Sequence, residues 1–243
     1  MPAGLCALAI MTKAPRAGKV KTRLTPPLTP GEAATLNTCF LRDTATTIAN
    51  TAREGVARGI AVYLPIGAEG AYAGILPAEF ELLPQRGNAF GERLAFAFED
   101  LFSLGFESVC LIGSDSPTLP RQAFAQAAQI LAEPEDKVVL GPTADGGYYL
   151  IGLKKENRTL FETIEWSTAR VLEQTIEKAK EINLQIHLLA PWYDVDDWAT
   201  LRQLCRELFA DQSAPDACPA PATRAYLKEI LEGEGRDRIW PEE

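Results

Sequence analysis

The sequence predicts an α/β fold built about a mostly parallel central sheet, and three observations carry that expectation. Short apolar runs alternate with longer amphipathic ones along the chain, the pattern of strands and helices taking turns. The chain has 243 residues, 47% hydrophobic and 23% charged, which suits one large globular domain and leaves little room for a second. A strongly basic stretch directly follows the first apolar run, where open α/β sheets pass from a strand to a ligand-binding loop.

About seven strands are expected from the short apolar runs: Leu5 to Met11, Ile60 to Leu64, Phe80 to Leu83, Ser108 to Gly113, Val138 to Gly141, Tyr148 to Leu153 and Gln185 to Leu189. The first helix has a defined start, because Thr29 can cap, Pro30 fits the first helical position and Glu32 completes a capping box; it runs to about Arg53. Further helices are expected over Gly91 to Leu104, stopped by Gly105, over Arg121 to Leu131, stopped before Pro134, and over Ser167 to Glu181, with Asn183 after it. Another begins near Asp196. The Pro- and Ala-rich stretch Asp211 to Ala222 reads as a loop or linker before a last helix near Arg224 to Leu231.

Composition narrows the function. The chain carries 24 Lys and Arg against 33 Asp and Glu, a formal net charge of -9, which argues against a nucleic-acid-binding module. Leu5 to Met11 is too short for a membrane span and lacks the flanks of a signal peptide, so a cytoplasmic location without membrane attachment is expected. Five scattered cysteines, Cys6, Cys39, Cys110, Cys205 and Cys218, form no C-x-x-C pair and indicate neither a disulfide framework nor a zinc site. No signal of oligomeric state is legible.

Four segments carry chemistry. In T-K-A-P-R-A-G-K-V-K-T-R-L-T the cations Lys13, Arg16, Lys19, Lys21 and Arg23 precede the first acidic residue, Glu32. Cations kept together on one loop suit an anionic ligand such as a polyphosphate; the same pattern also describes a solvated surface loop. The loop fits neither G-x-G-x-x-G nor a P-loop, so phosphates would be gripped mainly by side chains, with Gly18 letting the backbone come close. In V-C-L-I-G-S-D-S-P-T-L-P, Asp115 stands at the carboxyl end of a strand, where it either ligates a hard metal or caps a turn. Ser114 lacks the G-x-S-x-G context of a hydrolase nucleophile, and the sole histidine, His187, lies in a strand as a surface or packed residue.

Asp145-Gly146-Gly147 between two apolar runs is foremost a hairpin turn, whose glycines could also let a substrate lie against the backbone. Tyr148 and Tyr149 after it point to opposite faces. In W-Y-D-V-D-D-W, Asp194 and Asp196 at a strand end would point the same way and chelate an ion, or two ions shared with Asp115. Either Asp196 or Asp197 is also a natural helix cap. Carboxylates holding Mg²⁺ on one side and Lys and Arg on the other together describe a site for a nucleotide phosphate chain.

K-A-P-R-A-G-K-V-K-T-R-L at Lys13 to Leu24, Q-R-G-N-A-F-G-E-R-L at Gln85 to Leu94, G-S-D-S-P at Gly113 to Pro117, D-G-G-Y-Y-L-I-G-L at Asp145 to Leu153 and D-V-D at Asp194 to Asp196 occur in this order. They resemble the GT-A-fold nucleotidyltransferases and nucleotide-diphospho-sugar transferases, within them the glycosyltransferase-like branch related to phospholactate guanylyltransferase. The resemblance covers roughly residues 5 to 210. It implies a three-layer α/β/α sandwich with residues 1–210 as a single GT-A-like transferase domain; the sequence pattern beyond it sets off 211–222 as a linker or loop and 223–243 as a C-terminal helix and tail. It further implies a Mg²⁺ or Mn²⁺ site at Asp115, Asp194 and Asp196 and phosphate contacts from Lys13, Lys19, Lys21 and Arg23. Gly87, Gly91 and Arg93 would lie near the nucleotide, and Asp145, Gly146 and Gly147 near the acceptor. The loop departs from the L-x-A-G-G-x-S-x-R-M form of sugar-phosphate and molybdopterin nucleotidyltransferases, so base and acceptor do not transfer from them.

The leading expectation is a Mg²⁺-dependent nucleotidyltransferase with Lys21, Arg23 and Asp115 as its catalytic groups. An acceptor phosphate or carboxylate attacks the α-phosphorus of a nucleoside triphosphate and pyrophosphate leaves. Such an acceptor is already ionised, so no histidine base is needed. The alternatives are a glycosyltransferase using a nucleotide sugar, and a non-catalytic nucleotide-binding protein.

Overall fold

Alternating apolar runs become strands of one seven-stranded sheet: β1 (Cys6–Lys13), β2 (Ala57–Leu64), β3 (Glu81–Pro84), β4 (Ser108–Ile112), β5 (Lys137–Pro142), β6 (Tyr148–Leu153) and β7 (Gln185–Leu188). The computed structural model describes residues 5–53, 55, 57–209, 216–233 and 235–239. Strand order is β3-β2-β1-β4-β6-β5-β7, and only β6 runs against its neighbours. The chain winds outward from β1 in both directions, so the carboxyl ends of β1 and β4 flank the switch point where open α/β sheets form a crevice. Because β6 is reversed, the turn from β5 into it lies on the same edge.

The helices are α1 (Pro30–Ala52), α2 (Phe90–Ser103), α3 (Arg121–Ala132), α4 (Val171–Glu181), α5 (Trp198–Phe209), α6 (Pro221–Glu232) and α7 (Arg236–Ile239). Along β1, Cys6, Leu8 and Ile10 face α1 and α3, where they meet Leu41, Ala45 and Phe124, while Ala7 and Ala9 face α2 with Leu94 and Phe98. This period of two, with both faces apolar, is what a strand covered on both sides requires. The molecule is the three-layer α/β/α sandwich expected. Thr29 and Glu32 form the capping box of α1, Thr29 N donating to Glu32 at 2.7 Å and Glu32 N to Thr29 Oγ1 at 3.2 Å.

Two helices start later than expected. The fourth begins at Val171 rather than Ser167, because Ser167 is left-handed (φ 65) and cannot continue a right-handed helix. The fifth begins at Trp198, with Asp197 Oδ1 accepting from Thr200 N at 2.9 Å.

The Pro- and Ala-rich segment expected over 211–222 falls partly outside the described residues, of which 216 onward are placed, and α6 already begins at Pro221. Asp43 on α1, buried, accepts from Ala222 N at 3.0 Å and Thr223 N at 2.8 Å, so one helix caps another. Leu227 and Ile230 of α6, Ile239 of α7 and Leu201, Leu204 and Cys205 of α5 join Leu36 and Phe40 of α1 in a third apolar cluster. That cluster also contains Leu24 and Val195, which come from the basic loop and the D-V-D segment. The C-terminal helices thus hold two distant chemistry-bearing segments against one another. All five cysteines are free thiols, and His187 is exposed on β7.

Candidate functional site

After β1 the chain bends at Gly18 (φ 70) and again at Lys21 (φ 47). A 3-10 turn over Thr22–Leu24 follows. Burial of Leu24 and Leu28 pins the turn, and Thr22 and Arg23 are left facing outward. Lys13, Lys19 and Arg23 are exposed and make no ion pair among the described residues.

The G-S-D-S-P and D-V-D segments are tied together by hydrogen bonds. Val195 N donates to the Asp115 carbonyl at 2.9 Å, the Ser116 hydroxyl donates to Asp194, and Thr118 Oγ1 lies 3.4 Å from the Tyr193 hydroxyl. D-V-D is irregular backbone rather than a strand end; buried Val195 points inward, leaving both aspartates toward the cavity. Asp197 caps α5, so Asp196 is free for other work.

Lys21 joins these segments to the basic loop. Its Nζ lies 2.8 Å from Asp115 Oδ1 and 3.0 Å from Asp196 Oδ1, donates to the Val195 carbonyl at 2.7 Å, and stands 5.5 Å from the Phe40 ring centre. Burial would depress this ammonium, but the charges of Asp115 and Asp196 outweigh it and hold its pKa above the ordinary lysine value. Asp194 is pushed up to about 7, chiefly by burial and then by the Asp115 charge, against the Ser116 hydrogen bond.

These groups open onto a cavity of about 680 Å³ at the carboxyl edge of the sheet. Lys13, Lys19, Lys21, Arg23, Asp115, Asp194 and Asp196 line it, with Arg93, Asp145 and Gly147. Arg16, Gly18, Gly87, Gly91 and Gly146 do not. Gly91 instead allows a close approach, since a Cβ there would stand 2.7 Å from the Phe161 carbonyl and 2.8 Å from Trp166 Nε1. Gly146 (φ 89) has the Ala169 carbonyl 2.1 Å from where a Cβ would sit, and its own carbonyl accepts from Leu172 N at 2.9 Å. The D-G-G turn, held by Asp145 Oδ1 accepting from Thr143 Oγ1 at 2.6 Å and Gly147 N at 3.1 Å, is therefore locked to the segment before α4.

Tyr148 and Tyr149 belong to clusters on opposite sheet faces, as alternation requires, yet both reach the cavity wall. Sequence reasoning overlooked Asn37, Phe90 and the Trp166-Ser167-Thr168 string, all of which line the cavity. Asn37 is a buried polar residue within the apolar stripe of α1, which is a readable signal. Trp166 meets Phe90 edge to face at 5.0 Å and stands one residue before the helix expected from Ser167.

Among the described residues no three His, Cys, Asp or Glu side chains are gathered as a ready-made metal site. Mg²⁺ needs only one or two carboxylates when phosphate and water complete its shell, and the donors here are all oxygen. Asp194 is raised chiefly by burial and then by the Asp115 charge, and a cation would relieve that repulsion, so the residues fit such an ion. No helix of the described residues is long and apolar enough to cross a membrane.

The family described as "Uncharacterized protein conserved in bacteria" (DUF2064) matches residues 47–168. A crystal structure from Desulfovibrio desulfuricans G20, described as a "putative nucleotide-diphospho-sugar transferase", is 30% identical with a TM-score of 0.81, covering 96% of this chain and 97% of that one. CMP:2-keto-3-deoxy-manno-octonic acid synthetase complexed with CTP is 12% identical at a TM-score of 0.55, covering 86% and 99%. 4-Diphosphocytidyl-2C-methyl-D-erythritol synthase is 10% identical at 0.52, covering 93% and 100%. These last two share the fold. No curated protein matches the chain.

Proposed function

The chain belongs to the DUF2064 family, and on that premise we propose that it is a metal-dependent transferase acting on a nucleotide donor, with nucleotidyl transfer as its reaction. One observation carries the reading: cations from the first loop and aspartates from two distant segments converge on one cavity. An acceptor phosphate or carboxylate oxygen forms a bond to the α-phosphorus of a nucleoside triphosphate while the bond to the bridging oxygen of the β-phosphate breaks, and pyrophosphate carries that electron pair away. The acceptor is ionised at neutral pH, so no proton need be removed, in keeping with the exposed His187.

Lys13, Lys19 and Arg23 at the mouth bind and orient the triphosphate, and neutralise charge as pyrophosphate departs. Asp115, Asp194 and Asp196 would hold Mg²⁺ or Mn²⁺, which supplies Lewis-acid neutralisation of phosphate charge when bound. Arg93 contributes a further cation to the wall, and the Asp145–Gly147 turn borders the acceptor.

A second reading, glycosyl transfer from a nucleotide sugar, is favoured by the description of the 30% identical structure. Incubation with nucleoside triphosphates or sugar nucleotides, acidic acceptors and Mg²⁺ separates the two. Metal-dependent pyrophosphate release supports the first and nucleoside diphosphate release the second; saturable binding without turnover for every pair would leave a nucleotide-binding protein and sink both.

A further inference from the structure

Lys21 lies on the loop expected to grip phosphate, yet its ammonium has no donor to spare. Its three N–H groups face three acceptors, Asp115 Oδ1 at 2.8 Å, Asp196 Oδ1 at 3.0 Å and the Val195 carbonyl at 2.7 Å, and its side chain is 5% exposed. The neighbouring cations Lys13, Lys19 and Arg23 are exposed and make no side-chain hydrogen bond or ion pair among the described residues, Arg23 reaching Asp197 only through its charge. The cavity-lining cations of the loop are therefore of two kinds, one sealed against carboxylates and three available to a ligand.

We propose that Lys21 is the resident cation of the Asp115–Asp196 pair in the ligand-free protein, and that joint loading of a divalent metal and a polyphosphate transfers its ammonium from carboxylate to phosphate. The inference rests on the cavity being a metal and phosphate site, and adds the rule by which it fills.

Three physical points support it. A divalent ion held by Asp115 and Asp196 needs carboxylate oxygens at about 2.1 Å for Mg²⁺ and would stand within a few ångströms of the ammonium already paired with them, so the two cations repel and compete for the pair. Metal alone would strip the buried Lys21 ammonium of both carboxylates it pairs with directly, and breaking a buried pair by removing one partner is strongly unfavourable. A polyphosphate entering with the metal supplies the replacement charge, already attracted by Lys13, Lys19 and Arg23. Metal and phosphate must then bind with positive and reciprocal coupling. Lys21 acts here as a positioning residue: it offsets the repulsion between the carboxylates and holds them oriented until the donor arrives.

The test is Mn²⁺ binding to the full chain, read from the paramagnetic resonance of the free ion, with and without inorganic pyrophosphate and corrected for protein-free chelation. The wild type is expected to bind Mn²⁺ weakly alone and about tenfold or more tightly with pyrophosphate, within the usual range of such couplings. Lys21→Met and Lys21→Gln should bind Mn²⁺ alone about tenfold more tightly than wild type and lose most of the pyrophosphate effect. Folded variants with unchanged or weaker Mn²⁺ affinity would overturn the proposal. Should neither variant fold, the ¹H–¹⁵N signal of the Lys21 ammonium decides on the wild type. It must persist with Mg²⁺ alone and shift when pyrophosphate is added; no change on joint addition also overturns the idea. Absence of turnover with every triphosphate alongside the expected Mn²⁺ behaviour would sink the transferase reading and leave the Lys21 assignment standing, while turnover with Mn²⁺ affinity indifferent to Lys21 would do the reverse.

Discussion

Replacing Asp43 by Ala should loosen the C-terminal helices and, through them, the site. Asp43 sits 4% exposed on α1 and accepts from two backbone N–H groups at the start of α6, Ala222 at 3.0 Å and Thr223 at 2.8 Å. Loss of a helix-capping acceptor costs about 0.5–2 kcal/mol, and an amide left buried without a partner costs about 1–3 kcal/mol. The two overlap, so a net loss of roughly 2–3 kcal/mol is expected. In a chain of this size each kcal/mol lowers Tm by about 2–4 °C, giving a fall of roughly 4–12 °C by thermal unfolding. Asp43→Asn keeps one acceptor oxygen and should recover about half of the loss. Leu227 and Ile230 of α6 share an apolar cluster with Leu24 and Val195, so weaker binding of Mn²⁺ with pyrophosphate should accompany the lower Tm. An unchanged Tm in Asp43→Ala would refute the idea that this cap docks the C-terminal helices.

Asp115→Asn should abolish metal-dependent turnover while circular dichroism stays native, and full activity in that variant would remove the residue from the chemistry. Gly146→Ala places a Cβ 2.1 Å from the Ala169 carbonyl at a residue with φ 89, so it must displace the segment before α4; a loss of about 2 kcal/mol or more by urea unfolding is expected, and wild-type stability would contradict the close contact. Glu32 is held at about 2 by Arg238. Its contribution is complete above the ordinary carboxylate value and is lost as pH falls through about 2. Comparing urea midpoints of wild type and Glu32→Gln, the difference should be at most about 1 kcal/mol at neutral pH and vanish near pH 2; a difference growing on acidification would reverse the sign of the argument.

Much of the fold was legible because its determinants are local. Strand bounds agree with the apolar runs to within about three residues, and Thr29, Pro30 and Glu32 announce the start of α1 by chemistry confined to one turn. The residues of the cavity were legible in type but not in partnership. Lys21, Asp115 and Asp196 could each be singled out from charge and position, yet nothing in their spacing says that the lysine is spent on the two aspartates. Trp166 escaped notice because an amphipathic pattern after it suggested helix, which the left-handed Ser167 interrupts.

The sequence by itself determined the layered α/β architecture, the helix starts that carry their own caps, and which short stretches hold unusual charge, since each follows from periodicity or from neighbours a few residues apart. Only the tertiary structure decided that Asp43 would cap a helix beginning 178 positions later, that α5, α6 and α7 would build the floor beneath Leu24 and Val195, and that Lys21 would reach Asp196 across 175 residues. Such pairings are set by the order in which the strands assemble and by burial that closes over them, and no local pattern encodes either.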